Sequence, residues 1–111
     1  MTDSPAVARP LEGKIAVVTG SSRGIGRGTA IALGEMGATV YITGRTTGDS
    51  ELSIDRTAQL VDEAGGRGVP VQVDHGDDAQ IAALFERVAS DVGKLDILVN
   101  NVYKIPNPPA W

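Results

Sequence analysis

The 111-residue sequence contains no cysteine and only one histidine, His75. The first absence excludes disulfides, cysteine-ligated zinc and a thiol nucleophile from this stretch. The second excludes a multi-histidine metal site. No apolar run approaches the roughly 20 residues that cross a bilayer. Positive charge is not in excess: 14 acidic against 10 basic residues give a net charge of -4, which argues against non-specific nucleic-acid binding. Met1 to Pro10 lacks the basic start and apolar block of a signal peptide. The expectation is a cytoplasmic protein with no membrane or nucleic-acid partner. Apolar content of 41% and charged content of 22% are ordinary for a globular chain, and the length allows one domain at most.

Glycine, by contrast, is plentiful, and its placement organises the chain. Lys14-Ile15-Ala16-Val17-Val18 is an apolar, β-branched run that reads as a buried parallel strand. Thr19-Gly20-Ser21-Ser22-Arg23-Gly24-Ile25-Gly26 follows, and Arg27 to Met36 then reads as a helix. The glycines therefore occupy a strand-to-helix turn. The helix start offers unpaired N–H groups and the positive end of its dipole to a phosphate, a contribution of about 0.3–1 kcal/mol at an exposed site. Selectivity has to come from the side chains around the turn.

The rest of the chain repeats the alternation. The first helix spans about Gly24 to Met36, with Ile25, Thr29, Ala32, Leu33 and Met36 predicted to face the sheet. Ala38–Thr43 is a second strand, Leu52–Ala64 a second helix stopped by Gly65-Gly66, and Val69–Val73 a short, edge-like third strand carrying Pro70. Asp77 and Gln80 have capping-box spacing. The third helix has the clearest period, with Ile81, Leu84, Phe85, Val88 and Val92 in step. Leu95–Val99 is a fourth strand. The order βαβαβαβ predicts an α/β fold, a doubly wound parallel sheet with helices on both faces and right-handed crossovers. Residues 1–13 read as a loose tail, 14–103 as the folded unit and 104–111 as a proline-rich loop.

The spacing Gly20-x-x-x-Gly24-x-Gly26 after a Val-rich strand resembles the cofactor motif of the short-chain dehydrogenase/reductases. It differs from Gly-x-Gly-x-x-Gly and from a P-loop. The resemblance runs from about Leu11 to Asn101. It implies a Rossmann-type sheet of strand order 3-2-1-4, a nicotinamide cofactor, and hydride transfer with a small carbonyl or alcohol. Gly20, Ser22, Arg23, Gly24, Ile25 and Gly26 would form the cofactor turn. Gly44 stands where an NAD-binding chain would carry a ribose-binding carboxylate, and Arg45 comes next. With Arg23, Arg45 suits a 2′-phosphate, since guanidinium groups bind phosphate bidentately. NADP(H) is therefore expected over NAD(H), with Thr46 a possible helper, although Arg45 could also be a solvated loop residue. The family's Asp after the third strand bonds the adenine amino group, a role that falls on Asp74, which could equally be a turn former. His75 reads as an exposed turn residue, with contact to the adenine as the lesser alternative. Asn100 corresponds to the Asn that supports the sheet and lines the cofactor site. Tyr103 stands where the family has Gly.

The family's acid/base pair, Tyr-x-x-x-Lys, is absent: the fourth residue after Tyr41 is Arg45, and after Tyr103 it is Asn107. No residue is assigned a catalytic or metal-binding role. The chain reads as the front half of a longer, homo-oligomeric reductase, stopping after the fourth strand and inactive by itself. Two alternatives stay open: a stand-alone nucleotide-binding or interaction module, and a different doubly wound protein of flavodoxin-like or methyl-transfer type.

Overall fold

A computed structural model describes residues 9–101. The readings of residues 1–8, of Tyr103 and of the proline-rich 104–111 fall outside the described residues. Seven elements follow the expected order: β1 (Ile15–Val18), α1 (Gly24–Glu35), β2 (Thr39–Gly44), α2 (Ile54–Ala64), β3 (Arg67–Gln72), α3 (Asp78–Val92) and β4 (Ile97–Val99). The four strands are parallel in the order β3-β2-β1-β4.

That order fixes where the helices go. From β1 to β2 to β3 the chain steps one way across the sheet, and from β3 to β4 it steps back past β1. With every crossover right-handed, α1 and α2 lie on one face and α3 on the other. Successive strand residues point to opposite faces, so the core is divided. Ala16, Val18, Val40 and Ile42 pack with Ala30, Ala58 and Val61 on one side. Ile15, Val17 and Tyr41 pack with Val73, Leu84 and Val88 on the other.

The third helix buries the predicted stripe, with Leu84 and Val88 innermost and Ile81 and Phe85 packed beside them. Its cap is a modified box. Asp77 accepts from the N–H groups of Ala79 (2.9 Å) and Gln80 (3.4 Å). The Gln80 side chain accepts from the Asp74 N–H at 2.8 Å rather than from that of Asp77, because Asp77 already donates to the Asp74 carbonyl. Gly93, at φ 72°, ends the helix. The second helix begins two residues later than predicted, at a Ser53 cap whose hydroxyl accepts from the Arg56 N–H.

For α1 the predicted face is right only in part: Leu33 packs against the core and Thr29 is half-buried, but Ala32 is exposed. The buried residues of α1 are Gly26, Ala30 and Gly34, while Ile25 is 79% and Met36 37% exposed. The helix lies so close to α2 that a Cβ on Gly34 would sit 2.8 Å from the Val61 Cγ1. Small size selects the innermost positions, and Ile31 and Leu33 pack at their margins.

The sheet edges differ. Pro70 pairs with Ile42 on β3 at one edge, as its missing N–H requires. At the other edge β4 is shorter than predicted. Asp96 joins it to β1 by its backbone N–H, which donates to the Ile15 carbonyl at 2.9 Å, and by its carboxylate, which accepts from the Ile15 N–H at 2.8 Å. That N–H above all, with help from Lys94, holds the Asp96 carboxyl below its usual range. Leu98, on the α3 face, is 53% exposed. Residues 9–13, read from sequence as part of a loose tail, make a turn in which the Leu11 N–H donates to the Met36 carbonyl and Arg9 reaches the Gly65 carbonyl. Among the described residues no helix is long and apolar enough to cross a membrane, and no cluster of His, Asp and Glu is arranged to hold a metal.

Candidate functional site

The turn between β1 and α1 sits at the carboxyl ends of the strands, where the sheet order reverses between β1 and β4. In open parallel sheets this is the usual ligand crevice. Gly20 and Gly24 have φ of 62° and 63°, a region that side chains disfavour. Gly26 faces the Gly20 carbonyl and the Asn101 side chain, leaving no room for a Cβ.

Two latches hold the turn. Ser21 is fully buried. Its hydroxyl donates to the Val18 carbonyl at 2.7 Å and accepts from the Thr43 N–H at 3.1 Å, while its own N–H donates to the Thr43 carbonyl at 3.0 Å. The turn is thereby fixed to the end of β2. Thr19 makes the second latch, to the end of β4. Its hydroxyl accepts from the Asn101 N–H at 2.8 Å and faces the Asn100 Oδ1 at 3.1 Å.

Beside the turn lies a cleft of roughly 550 Å³. Gly20, Ser22 and Arg23 line it from the turn, Gly44, Arg45 and Thr46 from the end of β2, and Val73 to Gly76 from the end of β3. Arg27, Arg56, Arg87 and Lys94 have acidic partners. Arg23 and Arg45 have none within 4.0 Å among the described residues. The first turn of α1 contains no acidic residue, and its N-terminus receives no side-chain cap. The cleft is thus electropositive where the helix begins. On the opposite wall Asp74 accepts from the Gly76 N–H at 2.9 Å. His75 places its Nε2 2.8 Å from the Thr43 hydroxyl, and burial pushes its pKa down against the pull of Asp74.

Of the residues expected at a cofactor site, Gly20, Ser22, Arg23, Arg45 and Asp74 meet in this one cleft. Gly24, Ile25, Gly26 and Asn100 lie outside its lining. Gly26 shapes the turn from behind, and Asn100 engages Thr19. His75 is half-buried in the cleft wall, not an exposed turn residue. Sequence reading missed Ser21, Thr43 and Asn101 as well. Only Ser21, a small polar residue enclosed by the glycine turn, carried a local signal.

A family model described as short chain dehydrogenase matches residues 14–107. The chain belongs to the short-chain dehydrogenase family. It is 48% identical over 95 residues to dehydrogenase/reductase SDR family member 1 of Mus musculus, covering 85% of this chain and 29% of that protein. With the Homo sapiens protein of the same name it shares 46% over 98 residues, 87% of this chain and 30% of the other. Among solved structures, a short-chain dehydrogenase of Mycobacterium thermoresistibile matches at TM-score 0.78 and 31% identity over 86% of this chain and 35% of its own. An NADH-dependent reductase, A1-R′, solved with NAD, matches at TM-score 0.75 and 29% identity over 86% and 38%. The chain spans under a third of the length of these two curated relatives.

Proposed function

We propose that these residues are the cofactor-binding portion of an NADP(H)-dependent oxidoreductase acting on a small carbonyl or alcohol. The observation that carries this reading is the pair Arg23 and Arg45, two cations without acidic partners among the described residues, on one cleft beside an uncapped helix start. Gly44 adds to it. A Cβ there would lie 2.9 Å from the Ile54 Cγ2, so a ribose-binding carboxylate at this position has no space without a shift of Ile54.

The residues present fit such a cofactor. Gly20, Ser22 and Gly24 to Gly26 offer backbone close to a diphosphate. Arg23 and Arg45 suit the 2′-phosphate. Asp74 suits the adenine amino group, and Asn100, tied to Thr19, borders the inner end of the site. When bound, the nicotinamide supplies the hydride, and the protein supplies orientation and proton transfer. The proton-transfer pair Tyr-x-x-x-Lys is not in this sequence, so the 111 residues by themselves bind without turning over. The reading extends to a cytoplasmic homo-oligomer for the longer protein.

Calorimetry with NADPH and NADH tests it. NADPH binds the tighter of the two. Arg45→Asp weakens NADPH about ten-fold or more, given about 1.5–3 kcal/mol for a hydrogen bond to a charged group, and leaves NADH nearly unchanged. NADH binding as tight as NADPH, or an Arg45→Asp variant with unaltered NADPH affinity, would overturn the phosphate assignment.

A further inference from the structure

His75 has no part in that reading, yet its chemistry is tightly constrained. Thr43 is fully buried, and its hydroxyl has no polar partner among the described residues except the His75 Nε2 at 2.8 Å. A buried O–H without an acceptor is costly and rare. Thr43 therefore donates and Nε2 accepts. A neutral imidazole that accepts at one nitrogen carries its proton on the other. A second proton would make Nε2 a donor and strand the hydroxyl proton of Thr43. Burial opposes that proton too, while Asp74 favours it.

The Nδ1–H has no partner among the described residues. Asp74, next to it in the chain, uses Oδ1 for the Gly76 N–H, and its Oδ2 has no partner among the described residues. The end of β3 thus sets a fixed donor next to a free acceptor. Adenine presents the complement, an amino donor at position 6 beside a ring-nitrogen acceptor at position 1. Hypoxanthine reverses both, with an oxygen acceptor beside an N–H donor.

We propose that His75, held as its Nδ1–H tautomer by Thr43, is a base-selecting residue that acts with Asp74 to favour a 6-aminopurine over a 6-oxopurine. The inference rests on the dinucleotide reading above and adds to it a residue that distinguishes bases.

Two measurements test it. His75 is the only histidine in the sequence, so nitrogen NMR of the unliganded chain reports a single imidazole. At neutral pH its proton sits on Nδ1. A proton on Nε2 would overturn the inference whatever the cofactor. Calorimetry then compares NADPH with deamino-NADPH, in which hypoxanthine replaces adenine. The chain prefers NADPH by about ten-fold or more, the scale of one mismatched hydrogen bond to a polar site. His75→Phe narrows that gap several-fold with an unchanged circular dichroism spectrum. A gap that stays the same in the folded variant sinks the base selection and leaves the cofactor reading standing. Failure of both dinucleotides to bind removes both. If His75→Phe does not fold, equal affinity of the unaltered chain for NADPH and deamino-NADPH sinks the base selection.

Discussion

Helices α1 and α3 cover opposite faces of one sheet by opposite means. α3 inserts bulk: Leu84 and Val88 fill the space between helix and sheet, with Ile81 and Phe85 at the margins. α1 removes bulk: Gly26, Ala30 and Gly34 form its buried face, and the backbone is drawn in against β1, β2 and α2. A helix held by large side chains is set back from its sheet. A helix held by glycine stands closer, and its N-terminus meets the strand ends at the cleft. Here the closely packed helix is the one that starts at the cleft.

The contrast can be broken from either side. Leu84→Ala should have the largest effect, about 2–5 kcal/mol from lost burial and the cavity left behind, read as a lower urea midpoint with an unchanged slope. Gly34→Ala should cost about 1–3 kcal/mol for the opposite reason, overpacking against Val61. Chemical shifts in its NMR spectrum should move along α2 and leave α3 in place. A neutral outcome at Gly34 would mean that α1 can back away from α2 and that the close approach of the two helices is not enforced. Ile25→Ser should have the smallest effect, within about 0.5 kcal/mol, as at an ordinary surface position. A large loss there would restore the hydrophobic face that periodicity assigns to α1.

The same contrast explains what could be read in the sequence. The period of α3 is legible because large apolar residues announce which side is buried. The face of α1 is not, because glycine and alanine carry little hydropathy, and Ile25 and Met36 draw the pattern toward solvent. Strand positions follow from their β-branched runs. Strand order came from the family resemblance of the glycine turn, and local sequence alone does not encode it. At the cleft, Arg45 and Asp74 are visible as residues just after strands, and Arg23 as part of the glycine turn. The role of His75 is not, since it depends on Thr43, 32 positions earlier, and on the burial of a hydroxyl. The Ser53 cap is hard to read because Leu52 before it extends the apolar pattern of the helix.

Pro70 has a consequence for assembly. It occupies the strand at one border of the sheet, opposite Ile42, and has no N–H to offer to a further strand. Proline on a border strand is a known brake on uncontrolled pairing. The sheet is therefore polar in the sense that a crystal face or a filament end is polar. Accretion is hindered at β3, and at β4 no such residue interrupts Ile97, Leu98 and Val99. Growth, whether by one further strand or by aggregation, is biased toward a single direction.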